Sequence, residues 1–546
     1  MKNIFRLVIV AVLILSLAGV WALTRKDPPP AEENWIDSTS KATLTWDETT
    51  AVTKHLWQKK SGKYNVVLIT VNLLRVDHVS AYGYGRKTTP ALDELAKESF
   101  MFNSMFTNSD YTMPNMMSVI TSLYPVAHGV FDAFKDELSP KVRTLAQVLK
   151  LSGYKSSWYA LQLPHLDPNV GFGRGYDKVV QLDRDHSNVD SVVNWIKENK
   201  DESFFVGINS RSIHPPYMPP PEYKDTFFAG SKGSIATTEE EFQKAWYKKI
   251  LELMKTPDSC MYEVIDKKTV ADNKEVFNGE FLEEKLFKIQ DLIPKDKKIR
   301  FGFTHILTFS SMINPHDREN MEYAISLYDG CVLGIDQKLI QPIVQSLKDS
   351  GVYDNTIIIV TGDHGESLGE HNYVGHNLLF YEQLIHVPLL IRHPDLKTRV
   401  NIGALAQSTD IMPTILDLLD ITQPFHAQGK SLVPLLEDNT SGQIHEYVFG
   451  QKRSQAYVRS DSWKLVVDLD RDKEQEMCSW ARLYNIVDDP GERQSLCETE
   501  HVILKTLMEQ LVGHLESTPK YIDKEYQFLP SVDEKTRKRI KETGYW

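Results

Sequence analysis

Cysteine is scarce in this chain: four residues in 546, Cys260, Cys331, Cys478 and Cys497, with no C-x-x-C spacing among them. So few thiols exclude a disulfide-built scaffold, a zinc ribbon and a thioredoxin-type redox centre. An excess of positive charge is missing too, since 62 Lys and Arg stand against 74 Asp and Glu, a formal net charge of -12. A nucleic-acid surface needs cationic patches, and acid spread along the whole chain argues against one. No repeat period is visible. What is present is ordinary for a globular protein, 41% hydrophobic and 25% charged residues, enough to bury a sizeable core. The length suits three or four small domains or one large α/β enzyme with an appendage.

Lys2 and Arg6 precede an uncharged run of 17 residues from Leu7 to Leu23, closed by Arg25 and Lys26. Basic flanks around such a run mark an export signal or a membrane anchor in residues 1–26. Its length is at the short limit for crossing about 30 Å of hydrocarbon, and both cleavage and retention stay open. Either way the body is expected to be exported, periplasmic or in the cell envelope, where Cys478 and Cys497 could pair. Pro28-Pro29-Pro30 opens a linker through residue 62.

From Lys63 onward short apolar runs alternate with longer amphipathic segments, the pattern of an α/β protein. Asn65 to Val71, Phe204 to Ile208 and Thr356 to Val360 read as buried parallel strands, being β-branched or aromatic and unbroken. Leu92 to Phe100, Val142 to Leu151, Met116 to Leu123, Met321 to Asp349, Ile411 to Leu419 and Ile503 to Leu515 read as helices. The main domain is expected over 63–400, with a charged insertion at about 223–300, a C-terminal subdomain over 401–518 with strands near Tyr447 and Lys464, and a tail over 519–546.

In an open α/β sheet ligands bind beyond the carboxyl ends of the strands. The first strand runs into Asn72, with Arg75, Asp77 and His78 behind it. The strand at Phe204 leads to Ser212 and His214, and the strand at Thr356 leads into Gly362-Asp363-His364-Gly365-Glu366, with His371 and His376 soon after. If the strands are neighbours, Asn72, His214, Asp363, His364 and His376 converge. An oxygen and an imidazole beside glycines suit a divalent cation held by a tight turn, although a capping Asp and a surface His would give the same letters. Thr112-Met113-Pro114 marks a helix start, where a hydroxyl meets unpaired N–H groups and the positive helix end. Thr112 is there either a cap or a nucleophile awaiting activation.

The segments NVVLITVNLLRVDHVSAYGYGRKTTPALDELA, TMPNMMSVITSLYPVAHGV, HPPYMPPPEY, GVYDNTIIIVTGDHGESLGEHNYVGHNLLFYEQLIHVPLLIR, TDIMPTILDLLDI and LYNIVDDPGE, in that order, resemble the sulfatase family within the alkaline phosphatase superfamily. The resemblance implies an alkaline-phosphatase-like α/β fold, a central mixed but mainly parallel sheet flanked by helices, with a smaller C-terminal sheet subdomain. It implies metal-dependent hydrolysis of sulfate or phosphate esters through a covalent intermediate. Asp363 and His364 match the metal-binding pair, and Asn72 and the Thr112 oxygen complete the set for one divalent cation, with calcium, manganese, magnesium and zinc left open. Thr112 stands where sulfatases carry the cysteine that matures to formylglycine, and resembles the threonine of phosphodiesterases and of envelope phosphoglycerol and phosphoethanolamine transferases. His214 matches the histidine near the ester oxygen, and His376 lies where a cationic contact to the bound anion is expected.

Three positions depart from the family pattern: Asn72 for a metal-binding Asp, Met116 for Arg or His, and Ser212 for the Asp ahead of the His. Three functions compete on these residues: a hydrolase acting through Thr112, His214 and His376; a degenerate relative that binds an anionic glycan or lipid head group without turnover; and an envelope transferase. The expected partners are a sulfated or phosphorylated small molecule, glycan or lipid head group, with no nucleic acid, and membrane anchoring by the N-terminal segment is an open expectation.

Overall fold

The computed structural model describes residues 64–522, with 132–135, 162–169, 231–234, 255–264, 266, 278–280, 282, 294–307, 377–378, 439–441 and 470–476 excepted. The export or anchor segment, the linker, Cys260 and most of the tail lie outside the described residues. No helix among the described residues is long and apolar enough to cross a membrane.

The core is an eight-stranded sheet built from β1 (Asn65–Val71), β2 (Ser99–Phe106), β3 (Lys155–Ala160), β4 (Lys178–Gln181), β5 (Phe204–Ser210), β6 (Thr356–Gly362), β9 (Leu389–Arg392) and β10 (Val400–Gln407), with β7 (Ser367–Leu368) and β8 (Val374–Gly375) forming a separate hairpin. The strand order is β10-β2-β9-β6-β1-β5-β3-β4. Only β9 runs against the rest, pairing antiparallel with β2 and β6. β1, β5 and β6 are buried at every residue, as unbroken apolar strands covered on both faces must be. Their register is direct, with Val71 opposite both Ser210 and Gly362. Neighbouring strands lie about 4.8 Å apart, so the residues that follow these three ends emerge side by side.

The expected elements are present with shifted limits. The segment 92–100 is helical only in Pro90–Ala96 and then becomes β2. There, burial of SFMFNSMF between β9 and β10 overrides its helical spacing. The segment 142–151 starts its helix at Leu145, because Thr144 and Gln147 form a reciprocal capping box. The long pattern 321–349 is α2 (Arg318–Ile335), a π turn at Asp336–Ile340 and α3 (Gln341–Asp349); Pro342 at that junction has no N–H for the carbonyl four residues back. The charged insertion carries helices at Glu239–Met254, Lys267–Asp272 and Glu283–Leu292. Phe242, Trp246 and Ile250 are buried at helical spacing in the first, a stripe concealed in the sequence by its many Glu and Lys.

The boundary expected at 400/401 falls at the start of β10, a strand of the main sheet. The smaller sheet begins later, as β11 (Val448–Lys452), β12 (Gln455–Arg459), β13 (Trp463–Asp468) and β14 (Ala481–Asn485), all antiparallel. Helix α4 (His501–Ser517) packs on it through Leu504, Leu507 and Leu511, and a Cys478–Cys497 disulfide closes this unit. Charges tie the smaller sheet to the segment that leads into β9: Glu382 accepts from Arg459 Nε at 3.1 Å and from Lys464 Nζ at 3.1 Å.

Helix α1 (Thr112–Thr121) is buried along its whole length. His128 supports it from behind, accepting from Val130 N at 3.0 Å through Nδ1 and donating from Nε2 to Pro114 O at 3.1 Å. Burial pushes this imidazole down to about 3. The folded protein therefore keeps His128 neutral where the unfolded chain takes up a proton below about 6.5, and its contribution is full above that value and lost as pH falls. Urea denaturation of wild type and His128→Gln at pH 7.5 and pH 5 should show the wild-type advantage shrinking by about 2 kcal/mol. An advantage independent of pH would contradict a neutral buried His128.

Candidate active site

The in-register ends of β1, β5 and β6 deliver Asn72, Arg211 and Asp363 as adjacent residues. Asn72 N donates to Ser210 O at 2.8 Å and Asp363 N to Val71 O at 3.1 Å, extending the ladder one step past the strands. Leu73 then takes a left-handed backbone, φ 62°, a strained choice for a bulky residue. Its N–H meets Asp363 Oδ1 at 3.1 Å. The same oxygen accepts from His364 N at 2.7 Å. Gly365 is required by close approach, since a Cβ there would lie 1.9 Å from the Gln383 carbonyl oxygen.

Thr112 opens α1 and is 3% exposed. Asn115 fixes the first turn of that helix by donating from Nδ2 to Asp363 O at 2.5 Å and accepting from Asn108 N at 2.8 Å. The Thr112 hydroxyl then lies 2.9 Å from Asn72 Nδ2 and 3.2 Å from His364 Nε2. Asn72 Nδ2 also donates to Asp363 Oδ2 at 2.8 Å and lies 3.4 Å from His364 Nε2. His364 points Nδ1 at Gly365 O, 2.9 Å away, so Nδ1 carries the proton and Nε2 offers a lone pair to Thr112. Burial lowers the His364 pKa, with Asp363 opposing part of the shift, and the ring is a neutral acceptor.

The other two expected residues join the same cluster. The His376 ring centroid is 5.1 Å from that of His364 and 5.3 Å from that of His214. His376 Nδ1 lies 3.0 Å from Glu366 Oε2. Burial holds His376 down to about 4, helped by Arg211, and raises Glu366 to about 8. Asn72, Thr112, His214, Asp363, His364 and His376 thus meet at one place. His371 does not join them, stacking instead on Tyr381 at 3.7 Å, and Arg75 spends its charge on Asp77 and Glu370, both at 2.7 Å.

Met116 lies one helical turn from Thr112, on the same side of α1. It is 1% exposed and packed among Met113, Met117 and Ile120, so the side chain at this position is apolar and brings the site no donor. Positive charge comes from residues that the sequence reading left unassigned. Arg211 and Lys452 both depress the His376 pKa by charge, and Lys452 Nζ pairs with buried Asp110 at 2.7 Å. Arg211 was within reach as the residue next to a strand end; Lys452, on β11 some 340 residues from Thr112 in sequence, had no local signal.

Among the described residues no three His, Cys, Asp or Glu side chains gather as a metal cluster. A cation at this point would rest on Asp363, His364 Nε2, the Thr112 oxygen and Asn72. These four fit on one condition. Asn72 Oδ1 is buried with no hydrogen-bond partner, while Nδ2 occupies the centre of the donor set; a half-turn of the amide exchanges the two atoms, and amide orientation follows whatever network is present.

The sulfatase family profile matches residues 64–421. The chain belongs to the sulfatase family. A second profile, for the C-terminal region of N-sulphoglucosamine sulphohydrolase, matches 369–519. The chain is 22% identical to an N-acetylglucosamine-6-O-sulfatase of Bacteroides thetaiotaomicron over 85% of its own length and 87% of that protein. Among solved structures it resembles one in complex with its substrate D-glucosamine-2-N,6-O-disulfate, at TM-score 0.61 and 18% identity, covering 83% of this chain and 98% of that one. It also resembles a phosphonate monoester hydrolase of Agrobacterium radiobacter, at TM-score 0.57 and 19% identity, covering 86% and 98%. These likenesses establish an alkaline-phosphatase-like sulfatase fold.

Because Met116 is packed among apolar side chains, Met116→His should leave a buried polar ring in this sulfatase, at an expected cost of about 1 to 3 kcal/mol in urea denaturation. A variant as stable as wild type would show that the ring finds a hydrogen-bond partner beside Thr112.

Proposed function

We propose that this sulfatase-family protein hydrolyses sulfate esters through a covalent intermediate on Thr112. The observation that carries the reading is the Thr112 hydroxyl set 3.2 Å from the His364 Nε2 lone pair and 2.9 Å from the Asn72 amide. His364 accepts the hydroxyl proton as Thr112 Oγ attacks sulfur. His214 gives a proton to the departing alcohol oxygen, so the ester bond breaks to free alcohol while sulfate stays on Thr112. In the second half His214, now neutral, takes a proton from water attacking the same sulfur, and His364 returns the first proton to the Thr112 oxygen. Arg211, Lys452 and the polar edge of His376 balance the charge of the bound anion. A divalent cation would be held by Asp363, His364 Nε2, Thr112 and Asn72; since that nitrogen has a single lone pair, the cation would take over activation of the hydroxyl from the imidazole, supplying Lewis-acid polarisation and a lower hydroxyl pKa.

The names of the relatives support a sulfated sugar as substrate, and the phosphonate monoester hydrolase supports phosphorus esters as competing substrates. The apolar N-terminal run and the Cys478–Cys497 disulfide support an exported protein in an oxidising compartment.

Thr112→Ala should abolish turnover of chromogenic sulfate and phosphate esters while lowering stability by only about 1 kcal/mol; retained turnover would place the chemistry elsewhere. Asn72→Asp adds a charge to a set with one carboxylate, and calorimetric titration with calcium, magnesium, manganese and zinc should show tighter binding than wild type. Equal affinities would remove Asn72 from the ligand set. Wild type that binds sulfated sugars but turns over no ester would replace the hydrolase with a binding protein.

A further inference from the structure

Ser212 stands where the family carries an Asp, yet its hydroxyl is well used. Ser212 Oγ donates to the Arg184 carbonyl at 2.6 Å and lies 3.0 Å from His186 Nε2. Ser210 Oγ, at the end of β5, is 2.9 Å from the same nitrogen. Since the one proton of Ser212 is committed to Arg184, the imidazole N–H of His186 is the donor toward the Ser212 oxygen. The return contact comes from the Arg184 guanidinium, whose Nη2 donates to the carbonyl of His214 and, at 2.5 Å, to that of Pro216. Two loops, 183–188 after β4 and 211–217 after β5, are thereby tied in both directions.

Two further features bear on these loops. A cavity of about 230 Å³ lies against them, lined by Arg184, His186, Ser212, Met218, Cys331 and Ile335 among others. His186 is held at φ 59°, left-handed backbone that persists where its surroundings over-determine it, and is 4% exposed. The His214 ring adds its own restraint, Nδ1 lying 3.0 Å from the Pro215 carbonyl.

We propose that Arg184, His186 and Ser212 form a latch that positions the His214 imidazole for proton transfer to the departing alcohol, in the place of the carboxylate that Ser212 replaces. This rests on the hydrolase reading for its catalytic consequence. Both bonds come from one nitrogen, Nη2, whose two N–H groups are fixed in the guanidinium plane; a lysine ammonium has the donors but neither that plane nor the same reach, and reproduces the contact only in part. A carboxylate at position 212 would have no proton for the Arg184 carbonyl, and Ser212→Asp would loosen the latch instead of restoring function.

The test compares wild type, Arg184→Ala, Arg184→Lys and His186→Ala on two esters, 4-nitrophenyl sulfate, whose phenolate leaves without a proton, and a glucosamine 6-sulfate, whose alkoxide does not. The expected result for both Ala variants is a kcat loss of about 10²-fold on the sugar sulfate, with KM nearly unchanged and the nitrophenyl ester nearly unaffected, and partial recovery in Arg184→Lys. Equal losses on both esters would overturn the proposal, marking these residues as structural supports only. Imidazole NMR of His214 in the full-length protein gives an answer independent of turnover: Arg184→Ala should shift or split its signals, and a spectrum superposable on wild type would overturn the latch. Wild type inert on both esters, with His214 still disturbed in Arg184→Ala, would refute the hydrolase reading and leave the latch standing.

Discussion

The direct register of β1 with β5 and β6 is the constraint on which the site depends. Because Val71 faces Ser210 on one side and Gly362 on the other, the next residue of each strand emerges one strand spacing from its neighbour. Asn72, Arg211 and Asp363 therefore form a row before any side-chain interaction is considered. The left-handed turn at Leu73, the Asp363 carboxylate that accepts from it, and the Asn115 amide that ties α1 to the Asp363 carbonyl are consequences of that row. A shift of one residue in either pairing would turn these side chains to the opposite face.

Within the row, Arg211 and Asp363 carry opposite charges and Asn72 carries none. The expected carboxylate is an amide at Asn72, and that amide already satisfies Thr112 and Asp363 with its protons. Burial in a medium of low dielectric makes each unpaired charge costly, and the imidazoles respond by staying neutral: His364 and His376 are both depressed, mainly by burial. Positive charge sits on Arg211, in the row itself, and on Lys452, where Asp110 pairs with the lysine. At Asn72 and Ser212 neutral side chains are held by hydrogen bonds, Asn72 to Thr112 and Asp363 and Ser212 to the Arg184 carbonyl.

The C-terminal sheet contributes more than a cap. It brings Lys452 to Asp110, just ahead of α1, and anchors itself through Glu382, Arg459 and Lys464, a largely buried set in which removing one partner would leave an uncompensated charge. The same sheet holds the Cys478–Cys497 bridge, which restrains the unfolded ensemble of that unit.

The strands β1, β5 and β6, the helix at Thr112, the Asp363-His364 turn and the family were legible in the sequence, because a doubly buried strand and the residue that ends it are local patterns. The six expected site residues also meet, since each lies within a few residues of a strand end or helix start. The apolar neighbours of Met116, the two-way tie between Arg184 and the His214 loop, and the arrival of Lys452 were decided by tertiary structure. Each depends on which segments, tens to hundreds of residues apart, become neighbours and in what register, and side-chain periodicity along one segment carries no information about the partner across the gap.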